Sequence, residues 1–392
     1  MRISILKESL CIGGTERSAA NISLALSENH DVTTVLFDGS NISYPYGGAL
    51  CDMQLPPKPG KISKVFNGIF RSLNYKKHIK IFQPDIVFQF LSVASPVGLL
   101  KIKECVKIVS CRDFSALANR HKLFKKRLDA SDAMICNSDY LRDYYVKIYP
   151  EDKNRVFAVH NIIDSDFINK QSEEETDCAF LDFRDNHSKL VVSAGRFCRE
   201  KAFENLIEAF AQVHDVMPGI GLVLIGDGNY KELYLNRIEE FGISDSVYFT
   251  GYQTNPYKYM KKCDLFVLSS LSEGFPNVLA EAMALSLPVI SVNCLTGPAE
   301  ILMKEYDYKI ADEKFVECEY GILTPHYGIK GTEYAVKEIS NAIIHMLSDE
   351  LLMKKYGDLS LERAADFSAS SSVKKLENIF DALVFDKRGC RG

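Results

Sequence analysis

The sequence predicts an α/β protein made of two doubly wound, Rossmann-like parallel sheets. Three observations carry this. Short apolar runs alternate with helical patterns along the chain, as βαβ units do. The alternation occurs twice, on either side of an acidic, irregular stretch. The length, 392 residues, suits two domains of roughly 150–200 residues each.

In the first half, the runs at 3–6, 32–37, 85–90, 108–111, 133–136 and 156–159 read as strands, and 18–26, 62–82, 117–129 and 138–148 as helices. In the second half, 191–194, 221–225, 247–249, 265–268 and 289–291 read as strands with helices between them. The halves are separated by a segment that begins Gln171-Ser172-Glu173-Glu174-Glu175-Thr176-Asp177 and has no periodicity, expected of a linker or surface excursion. The expected domains are therefore 1–168 and 187–367, with a linker at 169–186 and a last helix within 368–392. Open α/β sheets bind ligands outside the carboxyl ends of their strands. Two such domains facing each other would form a binding cleft.

Composition narrows the class. Apolar and charged fractions are 46% and 25%, ordinary for a globular protein, and no run is long and apolar enough to span a bilayer. The opening residues lead a short strand into a glycine loop and are not expected to act as a signal peptide. Eleven cysteines without a C-x-x-C pair point to reduced cytosolic thiols rather than a disulfide framework or zinc site. The net charge of −5 hides an asymmetry, because residues 1–165 carry 23 Lys/Arg against 16 Asp/Glu. The excess concentrates at 58–80 (Lys58, Lys61, Lys64, Arg71, Lys76, Lys77, Lys80) and 120–127 (Arg120, Lys122, Lys125, Lys126, Arg127). Val65, Phe66, Ile69, Phe70 and Leu73 recur at helical spacing within the first cluster. Two readings stay open: an amphipathic helix on an anionic membrane surface, or a solvated helix packed on its own domain. Nucleic acid is not expected, given the negative total charge and the lack of a recognition motif.

Two segments carry the chemistry. Ser272-Glu273-Gly274-Phe275-Pro276-Asn277-Val278 runs into an almost wholly apolar helix that contains Glu281. A buried carboxylate needs hydrogen-bond partners, and sugar hydroxyls are suitable ones. Pro276 suits the first helical position, and free N–H groups at the helix start, around Asn277 and Val278, suit phosphate. The second segment is the strand 190–194, which ends in Gly195-Arg196 with Lys201 five residues later. A guanidinium and an ammonium there would grip a diphosphate.

These segments resemble the retaining GT-B glycosyltransferases of family 4, the E-x7-E enzymes of group 1, in their bacterial surface-polysaccharide type. Glu273 and Glu281 match E-x7-E, Gly195-Arg196 to Lys201 match G-R-x4-K, and Gly13-Gly14-Thr15-Glu16-Arg17 matches the amino-terminal glycine loop. Gly226-Asp227-Gly228 and Gly251-Tyr252 follow in the family's order. The resemblance implies a metal-independent, retaining hexosyltransferase without a cofactor. It would move a hexose or N-acetylhexosamine from a nucleotide-diphosphate sugar, UDP-linked, to a hydroxyl of a glycan or lipid-linked oligosaccharide, as in lipopolysaccharide or capsule synthesis. It would work in the cytoplasm, peripherally on the inner membrane. Arg196, Lys201, Glu273 and Arg112 are the expected catalytic residues. Donor contacts are expected from Gly13, Gly14, Arg196, Lys201, Tyr252, Gln253, Glu273, Gly274, Phe275, Pro276, Asn277, Val278 and Glu281. The resemblance also implies that the last helix crosses back to the first domain.

Two departures blur donor identity. Ala299 stands where relatives often have Arg, and Ala202 precedes Phe203 where they usually have Gly. His160 is more simply structural, and Asp164-Ser165-Asp166, which mimics a metal signature, reads as a helix cap. A nucleotide-sugar epimerase or a non-catalytic nucleotide-sugar-binding subunit remains an alternative. A dehydrogenase is disfavoured, because no third glycine completes a fingerprint after Gly226-Asp227-Gly228.

Overall fold

The computed structural model describes residues 1–11, 13–294 and 296–389. Its contacts divide into two compact units, Met1–Ile162 with the stretch from Ser368 onward, and Ile163–Phe367.

The first unit holds a seven-stranded parallel sheet of β1 (Arg2–Lys7), β2 (Asp31–Leu36), β3 (Ala49–Asp52), β4 (Ile86–Gln89), β5 (Val106–Cys111), β6 (Ala133–Cys136) and β7 (Val156–Ala158). The order is β3-β2-β1-β4-β5-β6-β7. Ile3 pairs with both Val32 and Ile86, so the chain reverses direction across the sheet between β1 and β4. The central strands are buried along nearly their whole length, because helices cover both faces. On one face, helices Gly14–Ser27 and Ala369–Gly389 cover Ile3, Ile5, Phe88 and Ile108. Phe380 of the last helix meets Phe88 edge-on, with ring centroids 6.1 Å apart. On the other face, Tyr75 and Ile79 of helix Lys61–Phe82 cover Leu6, Val35 and Val87. Beside them, helices Phe114–Asp129 and Asp139–Ile148 cover Val109, Cys111 and Met134.

The second unit repeats the plan with β8 (Lys189–Ala194), β9 (Ile220–Ile225), β10 (Val247–Gly251), β11 (Leu265–Leu268), β12 (Val289–Val292), β13 (Val316–Glu317) and β14 (Ile322–Thr324). The order is β10-β9-β8-β11-β12-β14-β13, parallel except for β13 against β14. The reversal falls between β8 and β11. Helix Phe203–Val216 presents Leu206, Ile207, Phe210 and Val213 to the core at helical spacing. Deleting such a side chain as Phe210 would cost about 3–5 kcal/mol.

The stretch 169–186 is not a linker in the structure. It holds the second half of helix Ser165–Ser172 and all of helix Cys178–Asp185, which are capped by the side chains of Asp164 and Asp177. Asp164 is thus the cap that the sequence suggested. Phe180 is fully buried against Tyr248 and Tyr259, and both tyrosine hydroxyls donate to Asp177. The acidic run conceals two short amphipathic turns whose apolar residues belong to the second core. The first unit therefore ends at Ile162, not at residue 168.

Candidate active site

A doubly wound sheet binds its ligand where strand order reverses, outside the carboxyl ends. In the second unit that point lies between β8 and β11. β8 runs out into Gly195-Arg196, and β11 into Ser269-Ser270-Leu271-Ser272-Glu273. The topology therefore places both sequence-predicted segments side by side. Lys201 Nζ donates to Glu273 Oε1 at 2.6 Å. Ser270 Oγ donates to the same oxygen at 2.6 Å, and Oε2 accepts no hydrogen bond among the described residues. Ser269 Oγ donates to the Lys201 carbonyl, and Leu271 N to the Glu200 carbonyl, so the two loops are stitched together. Burial opposes the Lys201 charge, but Glu273 outweighs it and leaves the ammonium's pKa above the ordinary lysine value.

Gly195 is closely packed. A Cβ there would stand 3.2 Å from Lys201 Cε, so the lysine stem lies over the glycine. Gly226 has φ +148°, and a Cβ on it would come within 1.9 Å of the Gly195 carbonyl oxygen. Phe197 N donates to Asp227 O, and Tyr230 N to Phe197 O. The loop after β9 thus braces the loop after β8. Arg196 is exposed and makes no hydrogen bond or ion pair among the described residues. Its guanidinium is available to a ligand.

Gly274, Phe275 and Pro276 form the turn into helix Asn277–Ala284, and no side chain caps the helix start. Pro276 occupies the cap position rather than the first helical turn, so Asn277 and Val278 are the first residues of the helix. The Phe275 ring is buried in the core, edge-on to Phe367 at 5.3 Å. Glu281 is buried at 5% exposure in an otherwise apolar helix. Tyr252, just past β10, is half exposed and not part of the core. Gln253 Nε2 is tied to the Thr250 carbonyl at 2.8 Å.

In the first unit, Gly13 precedes helix Gly14–Ser27, and its N–H donates to Tyr44 OH. The Glu16 carboxylate lies over the Gly13 α-carbon, in the space a side chain there would take. Gly14 has open space around it. Arg112 is held by Ser110 Oγ and Ser18 Oγ, each at 2.6 Å, and by Asn161 Oδ1. Its guanidinium lies 4.7 Å from the Phe90 ring centre. Burial lowers its pKa to about 9, which leaves it charged at neutral pH. These bonds make Arg112 a brace between helix Gly14–Ser27 and the loop after β7.

Two features of the first unit escaped the sequence reading. At the β1–β4 reversal, Lys7 Nζ ion-pairs with Glu8 at 3.2 Å and Glu16 at 3.0 Å, and Glu8 Oε1 accepts from Ser92 N. The run Lys7-Glu8-Ser9 reads only as a polar strand end. Second, the loop after β4 rests on two buried cations. Arg127 donates to the Leu91 and Ser92 carbonyls, and Lys107 to those of Gly98, Leu100 and Ala130. Burial, reinforced by Arg127, lowers the Lys107 pKa to about 7. Arg127 is therefore unavailable to any outside surface, and Lys125 is engaged by Asp129, Glu151 and Asp152.

Comparison with known proteins agrees with this geometry. Residues 12–167 match the family model "Glycosyltransferase Family 4", and residues 182–359 match "Glycosyl transferases group 1". The chain is 32% identical to an uncharacterized glycosyltransferase of Methanocaldococcus jannaschii, a match that spans 59% of each chain. It is 27% identical to the N-acetylgalactosamine-N,N'-diacetylbacillosaminyl-diphospho-undecaprenol 4-alpha-N-acetylgalactosaminyltransferase of Campylobacter jejuni, over 93% of this chain and 95% of the relative. With the amylovoran biosynthesis glycosyltransferase AmsD of Erwinia amylovora the identity is 26%, over 94% and 96%. Among solved structures, Anabaena HepE in complex with UDP-glucose superposes with a TM-score of 0.72 at 17% identity, over 97% of this chain and 100% of that one. The lipopolysaccharide glycosyltransferase WaaG gives 0.67 at 16% identity, over 96% and 99%. The fold is thus GT-B, and the chain belongs to glycosyltransferase family 4, whose second half is the group 1 glycosyl transferase domain.

Proposed function

We propose that the protein transfers a hexose or N-acetylhexosamine, with retention of configuration, from a UDP-sugar to a hydroxyl of a glycan or lipid-linked oligosaccharide in surface-polysaccharide synthesis. One observation carries this reading. At the β8–β11 reversal, a charged ammonium and a carboxylate are locked together, and the same loop carries Arg196, whose guanidinium makes no hydrogen bond or ion pair among the described residues. An ammonium has three N–H donors, and Glu273 takes one of them. The others, with the Arg196 fork, suit a diphosphate. As the glycosidic bond breaks, charge grows on the leaving phosphate oxygen, and fixed cations stabilise it more in the transition state than before it. Glu273 Oε2 suits a hydroxyl of the transferred sugar, and Glu281 the ribose. The N–H groups of Asn277 and Val278 suit the phosphate. Tyr252 offers an exposed ring to the base.

Retention follows if the acceptor hydroxyl attacks on the face the diphosphate leaves, with a phosphate oxygen taking its proton. The cations supply the charge compensation that a divalent ion would give, so the transfer is metal-independent. The relatives' lipid-linked and polysaccharide chemistry supports a site of action at the cytoplasmic face of an anionic membrane, with the basic segments 58–80 and 120–127 facing it. No helix among the described residues is long and apolar enough to cross a membrane. A thermal-shift panel of nucleotide-sugars tests the donor, because a ligand of the folded state raises apparent stability with concentration relative to its Kd. Selective stabilisation by a UDP-sugar is expected, and stabilisation by GDP compounds alone would overturn the choice. NMR of the product's anomeric centre reads retention, and donor turnover without acceptor would point to an epimerase instead.

A further inference from the structure

Helix Lys61–Phe82 has one face that packs and one that is largely exposed among the described residues. Tyr75 and Ile79 are buried against the sheet, and Asn67 and Gly68 on the same side are buried beside Pro56 and Pro96. Opposite them Val65, Phe66, Ile69, Phe70 and Leu73 are each 50–64% exposed. At about 100° per residue these five positions fall within an arc of roughly 140°, and Lys76, Lys77 and Lys80 fall within the same arc. One outward face is therefore apolar in its first half and cationic in its second. Exposed Leu99 extends the apolar half, since Pro96 of the same short turn sits against Gly68. On the same side of the sheet, helix Phe114–Asp129 adds exposed Arg120, Lys122 and Lys126. Buried Arg127 and the engaged Lys125 add nothing to it.

Large apolar side chains clustered on a water-facing helix mark an interaction surface. The cations continuing the same stripe select an anionic partner with an apolar interior, the chemistry of a bilayer rich in acidic lipid. We propose that this face is a membrane-insertion element: residues 65–73, with Leu99, enter the acyl boundary of an anionic leaflet, while Lys76, Lys77 and Lys80 stay among the headgroups. The helix also reaches the carboxyl edge of the first sheet. Arg71 donates from Nε and Nη2 to the Leu55 carbonyl and stacks on Phe37, 4.6 Å from its ring centre. Insertion thus fixes the depth at which that edge meets a lipid-borne acceptor. This inference rests on the lipid-linked acceptor proposed above and names the surface that meets it.

The chain has no tryptophan, so Phe70→Trp places a single reporter in the apolar half. Its emission should shift to the blue and be quenched by brominated acyl chains with vesicles containing phosphatidylglycerol, and not with pure phosphatidylcholine. Adding Lys76→Glu and Lys77→Glu should lower partitioning at least about 25-fold, about fivefold for each cation lost. Circular dichroism and UDP-sugar thermal shift on the same samples report folding and donor binding without vesicles, so failure of the transferase reading is seen separately. Unchanged emission with anionic vesicles would overturn the proposal. So would a blue shift that grows with protein concentration in the absence of lipid, because the face would then join two copies of the chain.

Discussion

Lys201→Met separates the structural from the catalytic role of the lysine. Methionine keeps a stem over Gly195 and deletes only the ammonium. Glu273 then loses its 2.6 Å ion pair and keeps the Ser270 bond. The two side chains are 21% and 13% exposed. The pair therefore lies between a surface pair, worth about 0–1 kcal/mol, and a fully buried one, whose rupture costs about 3–5 kcal/mol. A loss of about 2 kcal/mol in urea melts is expected. Because the folded-state pKa of Lys201 lies above its unfolded value of 10.5, the pair's contribution is complete below that pH. It is lost only as pH rises through the folded value. The stability gap between parent and variant should thus stay flat through neutral pH and close in the alkaline range. Removing a fixed cation from a site of developing charge costs about 2.7–4 kcal/mol, or about 10²–10³ in rate. Single-turnover transfer at saturating donor reads this directly, under conditions where both proteins are folded. A variant destabilised as expected that transfers sugar at the parental rate would refute the leaving-group role and leave Lys201 as a structural partner of Glu273.

Arg196→Ala should change stability by less than about 0.5 kcal/mol, as for surface substitutions without partners, yet weaken UDP binding measured by calorimetry. Gly226→Ala should destabilise by about 2 kcal/mol or more, through its positive φ and the clash with Gly195 O, and should weaken UDP binding by displacing the Arg196 loop. Gly242→Ala, also at positive φ but in open space, should cost about 1 kcal/mol and leave UDP binding unchanged. Chelator should leave the transfer rate intact, and a loss restored by added magnesium would contradict the cation-only account.

The central strands were legible because buried parallel strands write themselves as unbroken apolar runs. The edges were not. β3 (Ala49–Asp52) is exposed and carries no such run, and β13 and β14 are two and three residues long. The segment 169–186 misled because its acidic surface outweighs Phe180, which with Ile168 just before the segment ties it to the core. At the site, Glu273, Arg196 and Lys201 could be named because charges beside a strand end or inside an apolar helix are conspicuous. That Lys201 and Glu273 pair with each other is not written in either segment. It follows from the sheet order that sets β8 beside β11. The same holds for the Lys7 cluster and for Arg112, whose bonds to Ser18 and Asn161 join residues far apart in the chain.

The most direct measurement is single-turnover sugar transfer by the Arg196→Ala, Lys201→Ala double variant, beside UDP affinity by calorimetry and a folding check. The account predicts a folded protein with weakened UDP binding and a transfer rate lower than that of either single variant. A double variant that elongates its acceptor at the parental rate would contradict it.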